Sequence, residues 1–364
     1  MRKLSTLKLL FASILLIFTG VYLLYYLGVH NTYIKTSRNN GYDGYDINLL
    51  EKPFLGIQTR EESVFSSPFR VTLFTTFSQS QSGRFEIQRN TIRNWNQMKR
   101  SLGFNLVVFL NTSSNYSSDL LSDWGVIAYT PVMLRFGRPV LKEMYKAVMT
   151  KYDSHIYGYV NGDILFHGSK LKNTLRYIHD YCTRNHTDKY LIFGGRTELT
   201  FQNKKSTKIL ATGDDNEIEE LYRQGKLGQL TALDYFFSSK TSFPWALFPP
   251  FVISVYSFDS WLMLYSNKAG VQSFDITNTT IAIHQRGPGK QKTKGYKAAE
   301  HFNNMLFYKS FRATGKMFSL ACTKWKTISS TNGSISVERI SNITFYTDFC
   351  IPKGPIIIPN DVIY

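Results

Sequence analysis

From residue 69 onward the chain alternates two hydrophobic patterns, and the alternation predicts its elements. Residues 69–77 form an apolar, β-branched run, the mark of a buried strand. Ile87, Thr91, Trp95 and Met98 then recur at helical spacing, which predicts a helix over residues 85–100. Gly103 breaks the chain before a strand at 104–110, and 126–129 reads as a third, short strand. Pro139 is placed to open a helix at a favoured first-turn position, with Leu141, Met144, Tyr145, Val148 and Tyr152 along its apolar face. A fourth strand, 156–160, follows at once and ends in the turn Asn161-Gly162-Asp163. A second apolar run comes next, then a helix with Leu171, Leu175, Ile178 and Cys182 on one face. Further on, 191–196 is a strand ending in two glycines and Arg196, and 257–261 opens a helix that Gly270 closes. Residues 280–285 read as a strand ending in histidine, followed by a basic, glycine-rich loop.

Strands and helices at this spacing predict an α/β protein with a mainly parallel sheet and flanking helices. In such sheets ligands bind outside the carboxyl ends of the strands. The turn 161–163 lies at that edge and offers an amide and a carboxylate, the oxygen ligands a hard cation facing a diphosphate needs. Gly162 is expected to supply the turn conformation. An ordinary turn with Asp163 capping it would look the same from this stretch alone.

Ahead of residue 69 the pattern changes. Arg2, Lys3 and Lys8 precede an uncharged run from Leu9 to Val29, roughly 20 residues and so long enough to span a bilayer as a helix. The flanking charge predicts a type II signal anchor, with residues 1–8 cytosolic and the rest lumenal. The bulky stretch 22–27 argues against a cleavage site. Residues 30–67 are polar and read as a stem, 68–321 as the folded domain, and 322–364 as a C-terminal extension with no function to argue. Asn-x-Ser/Thr sequons headed by Asn111, Asn115, Asn185, Asn278, Asn332 and Asn342 agree with a Golgi or endoplasmic-reticulum membrane protein. The three cysteines are too few for a disulfide scaffold and lack metal-ligand spacing. An oxidising lumen allows one disulfide, between Cys322 and Cys350, with Cys182 free and buried. The net charge of +17 suits a partner bearing phosphate, sulfate or carboxylate groups. Beyond a membrane, that partner is not nucleic acid.

Taken in order between Arg70 and Phe307, a set of short motifs carries a resemblance: Gln88-Arg89-Asn90 with Trp95, Asn161-Gly162-Asp163, Leu233-Asp234-Tyr235, Pro249-Pro250-Phe251, Asp259-x-Trp261 and His284-Gln285. They resemble a poorly characterised branch of the nucleotide-diphospho-sugar transferases of the GT-A type. The resemblance implies a Rossmann-type sheet and transfer of a sugar from a nucleotide-sugar donor to a glycan, protein or lipid acceptor. In that family a DXD motif binds the donor diphosphate through Mn²⁺ or Mg²⁺. Asp163 takes the place of its last Asp, while Asn161 stands where the first would be and contributes an oxygen without charge. His284 is then the second metal ligand. Asn161, Asp163, Arg196 and Lys290 hold the donor, with loop 286–294 as a lid over the diphosphate. Asp259 is the candidate general base and Asp234 the second, with acceptor binding as its alternative role; a retaining mechanism would need neither as base. Arg89 and Arg138 are weaker phosphate candidates, and Trp95 and Trp261 read as core. A Golgi sulfotransferase would need a phosphate-cradling loop after the first strand, which residues 75–79 do not supply. A GT-A scaffold without turnover, serving as a glycan-binding or chaperone-like partner, is the non-enzymatic alternative that Asn161 keeps open.

Overall fold

The computed structural model describes residues 68–77, 82–111, 118–201, 208–287, 295–312, 320–340 and 350–359. The expected anchor at 9–29, the stem and Lys290 lie outside the described residues. Among the described residues no helix is long and apolar enough to cross a membrane.

In chain order, β1 (Val71–Thr76), α1 (Ser82–Leu102), β2 (Asn105–Leu110) and β3 (Gly125–Ala128) come first. A ribbon of β4 (Leu134–Arg135) and β5 (Arg138–Pro139) leads to α2 (Leu141–Lys151), β6 (Ile156–Val160), β7 (Ile164–Phe166) and α3 (Gly168–Arg184). The second half holds β8 (Tyr190–Phe193), β9 (Thr197–Thr200), α4 (Asp215–Gln224), β10 (Lys226–Leu227), β11 (Tyr235–Ser239), α5 (Phe258–Lys268), β12 (Gln272–Asp275) and β13 (Ala282–Arg286). The helix α6 (Tyr296–Phe311) and the strands β14 (Trp325–Ser329) and β15 (Ile335–Arg339) complete the described chain.

Nine strands form one sheet in the order β15-β14-β12-β8-β11-β6-β1-β2-β3. Its half from β3 to β6 is parallel throughout. Between β6 and β8 lies β11, antiparallel to both, and β12 and β14 continue in the direction of β8. The sheet is thus mainly parallel, and β11 is the reversed strand at its centre. A second sheet, β10-β9-β13-β7, was not legible beforehand.

Central strands read as unbroken apolar runs because both sheet faces are covered. Helices α1 and α3 bury Trp95, Met98, Leu171, Leu175 and Ile178 on one face. On the other, α2, α5 and α6 bury Met144, Tyr145, Trp261, Phe302 and Phe307. Trp95 and Trp261 are core residues, 0% and 1% exposed. Pro139 does not open α2 but ends β5, and Val140 is the N-cap. The chain stays extended there because the 251–253 segment pairs with it: Ile253 N donates to the Pro139 carbonyl, and Leu141 N donates to that of Phe251. Residues 325–339 extend the main sheet, and a disulfide joins Cys322 to Cys350. Asn267 Nδ2 donates to the carbonyls of both cysteines, while Cys182 is free and buried.

The order of the first four long strands, 3-2-1-4, decides where a ligand can sit. The chain leaves β1 towards β2 and β3, and β6 lies on its opposite side. The carboxyl ends of β1 and β6 therefore flank a topological switch point, where the outgoing connections part and leave a crevice.

Candidate active site

The turn 161–163 closes this crevice. Its backbone is pinned from three directions: Asn161 N donates to the Asp234 carbonyl, Thr91 Oγ1 to that of Gly162, and Gln285 N to that of Asp163. Gly162 is not among the glycines with positive φ, so its conformation does not demand glycine. The demand is space: a Cβ there would lie 2.7 Å from the Thr76 carbonyl oxygen at the end of β1. Several motif residues turn out to frame the turn. Trp95 Nε1 donates to the Ile164 carbonyl at 3.1 Å. Gln285 Nε2 donates to Ile87 O and Thr91 Oγ1, and its Oε1 accepts from Asn90 Nδ2. Asn90 and Gln285 are at most 2% exposed, so these bonds lie away from water, where leaving a polar group unpaired is costly.

Antiparallel pairing of β13 with β7 sets His284 opposite Ile164 and so beside Asp163. His284 Nε2 lies 3.7 Å from Asp163 Oδ2. The same carboxylate oxygen accepts from a guanidinium N–H of Arg84 at 2.8 Å. Asp163 is 1% exposed and Arg84 9%. The sequence reading missed Arg84. The signal was there, because Arg84 stands four residues before Gln88 and seven before Thr91, on the helix face that meets the turn.

A second polar group continues along the edge. Asn161 Nδ2 donates to Asp234 Oδ1 at 2.8 Å, and the Tyr159 hydroxyl donates to Asn161 Oδ1 at 3.0 Å. Arg196 Nε faces the other Asp234 oxygen, and its terminal nitrogens donate to Glu198 Oε1 and the Ala232 carbonyl. Arg286 pairs with the far oxygen of Glu198 at 2.9 Å. Both Asp234 oxygens are therefore engaged, which suits Asp234 to orienting a ligand more than to taking its proton.

Asp259 lies in the first turn of α5. Phe258 packs edge-on against Tyr159 at 6.2 Å and tilted against Phe236 at 6.3 Å, which seats that turn on β6 and β11. Ser257 holds the N-cap position without a side-chain bond, and Asp259 Oδ1 accepts from Ser260 N at 2.8 Å. Burial, with a further push from the Asp234 charge, raises its carboxyl to about 6. Of the weaker candidates, Arg89 pairs with Glu86 on its own helix and Arg138 lies over the Tyr296 ring.

Whether these residues suit a divalent cation follows from their chemistry. Asp163 and His284 would hold a divalent cation through one carboxylate oxygen and one imidazole nitrogen. His284 Nδ1 is buried without a hydrogen-bond partner. Among the described residues no cluster of three or more His, Cys, Asp or Glu could hold a metal by itself. Two protein ligands would leave such a cation to complete its shell from a bound ligand and water.

No protein-family model matches the chain, and neither does any curated protein sequence. In structure the chain is similar to several solved transferases, each at low identity and low TM-score. One is glucosyl-3-phosphoglycerate synthase from Mycobacterium tuberculosis in complex with Mn²⁺, UDP and glucosyl-3-phosphoglycerate, at 10% identity and TM-score 0.37, over 76% of this chain and 88% of that one. Another is a mannosyltransferase from Pyrobaculum calidifontis in complex with GDP-Man and Mn²⁺, at 12% and 0.36, over 64% and 60%. The inositol-1-phosphate CTP transferase from T. maritima is similar at 14% and 0.33, over 65% and 98%. At such identities and TM-scores, what the site can do is decided by its own residues.

Proposed function

We propose that this protein is a glycosyltransferase that moves a sugar from a nucleoside-diphosphate donor to a hydroxyl of a glycan, protein or lipid acceptor. The observation that supports this most directly is the convergence of Asp163 and His284 on one gap at the switch point of the sheet. Asp163 and His284 would hold a divalent cation, Mn²⁺ or Mg²⁺, facing the donor diphosphate. When bound, the cation supplies Lewis-acid neutralisation of the charge that develops on the departing nucleoside diphosphate. Asn161, Asp234 and Arg196 form a pre-bonded edge that orients donor and acceptor, so little reorganisation accompanies the reaction. In an inverting transfer Asp259 takes the proton of the acceptor hydroxyl, and a carboxyl raised to about 6 is a stronger base than an ordinary one.

The protein is further read as a single-pass type II protein of the Golgi or endoplasmic-reticulum membrane, with this domain lumenal. The uncharged run 9–29 behind Arg2, Lys3 and Lys8 supports that reading, and so do the six sequons. Protease protection of the domain in sealed microsomes, with a size shift on endoglycosidase treatment, tests it.

The decisive experiment for the activity is calorimetric titration of the full chain in detergent with a panel of nucleoside diphosphates, with and without Mn²⁺. Binding of one nucleotide, strengthened by Mn²⁺, with that strengthening lost in Asp163→Ala, is the expected result. No nucleotide binding by the folded protein would overturn the transferase reading and leave a glycan-binding scaffold.

A further inference from the structure

Among the described residues, the cation bonded to Asp163 is a side chain. Arg84 approaches Oδ2, the same oxygen that faces His284. A guanidinium carries five N–H donors in a rigid fork, and a buried structural arginine normally has them satisfied. Here Arg84 is 9% exposed and its Nε is buried without a hydrogen-bond partner. It lies in the first turn of α1, the helix that follows β1 in the chain. A planar cation with donors to spare, beside the gap that Asp163 and His284 share, matches two oxygens of a diphosphate.

We propose that Arg84 is a donor-binding residue: without donor its guanidinium is the counter-cation of Asp163, and on donor binding it takes the diphosphate and releases the carboxylate to the metal. This rests on the transferase reading above. The arrangement sets an order of events. A guanidinium on Oδ2 repels a dication, so the protein alone binds metal poorly. The diphosphate brings two or more negative charges, draws Arg84 off, and supplies the ligands that the protein lacks. Metal and donor therefore bind together, and the exchange keeps the buried carboxylate compensated throughout, since an unpaired buried charge is strongly disfavoured.

The test separates metal from diphosphate. Full-length protein in detergent is titrated with Mn²⁺ alone, by calorimetry and by the loss of the free Mn²⁺ electron-paramagnetic-resonance signal. It is then titrated in EDTA with inorganic pyrophosphate and with the nucleoside diphosphate that the wild type binds. Arg84→Gln is expected to tighten binding of Mn²⁺ alone at least tenfold and to weaken metal-free diphosphate binding at least tenfold. A structural arginine would move neither in these opposite directions. Arg84→Lys keeps the counter-charge, and with it the fold, but loses the fork. It is expected to leave Mn²⁺ affinity unchanged and to weaken diphosphate several-fold. Unchanged diphosphate affinity in both variants, with melting curves like the wild type, would overturn the role of Arg84 while leaving the transferase standing. A wild type that binds no nucleoside diphosphate under any condition would instead remove the transferase reading itself.

Discussion

A carboxyl that burial raises to about 6 makes the pH dependence of the reaction a direct probe of Asp259. As general base Asp259 must be ionised, so kcat/KM should fall on the acid side with an apparent pKa near 6. At pH 5 only about a tenth of it would carry the charge, and the rate should drop about tenfold from its plateau. A carboxyl at the ordinary value would still be more than about 90% ionised there and would show almost no loss. The perturbation that isolates the cause is Asp234→Asn. It removes the charge that adds to the effect of burial, so the acid limb should move to lower pH while remaining visible. Asp259→Asn should abolish the limb together with most of the rate. The assay is initial release of nucleoside diphosphate from the donor that binds, measured from pH 4.5 to 8 at fixed ionic strength. A limb below pH 5 in the wild type, or one that Asp259→Asn leaves in place, would refute Asp259 as the base. The same shift has a stability consequence. A folded-state value above the unfolded one favours the protonated form, so its contribution is fully present below the ordinary carboxylate value and is lost as pH rises through about 6. Asp259→Asn should therefore raise stability at pH 7 by on the order of 1–3 kcal/mol, a gain that vanishes near pH 4.

Three further outcomes are expected. Asn94 exchanges two bonds with Phe166 and donates one to the Gly213 carbonyl, all at 2.8–2.9 Å, so Asn94→Ala leaves three buried backbone groups unpaired. It should cost about 3–5 kcal/mol in urea unfolding at unchanged m-value. Gly162→Ala would press a methyl group against the Thr76 carbonyl and push the turn from β1. A loss of about 1–3 kcal/mol is expected, with nucleoside-diphosphate affinity falling more than stability explains. Replacing Cys322 and Cys350 together by Ala opens a 28-residue loop and should lower stability by about 3–4 kcal/mol, read as a drop in melting temperature, while nucleotide affinity is kept.

The local patterns in the sequence were sufficient for the elements that lie within one stretch. Strand runs at 71–76 and 156–160, and the helical spacing of Ile87, Thr91, Trp95 and Met98, follow from periodicity because side-chain burial repeats with the backbone geometry. The turn 161–163 was found the same way, at the end of an apolar run. Only the tertiary structure decided what meets it. Arg84 and Asp163 are 79 residues apart, and Asn90 and Gln285 are 195 apart. No local period links such positions, because they are joined by sheet order and register. The direction of β11 was equally silent, since a fully buried strand reads alike whichever way it runs. Sequence alone set where the chain turns from apolar to polar. The packing of β1, β6, β11 and β13 settled which charges face each other there, because register and strand order are fixed by the sum of long-range contacts and not by any one segment.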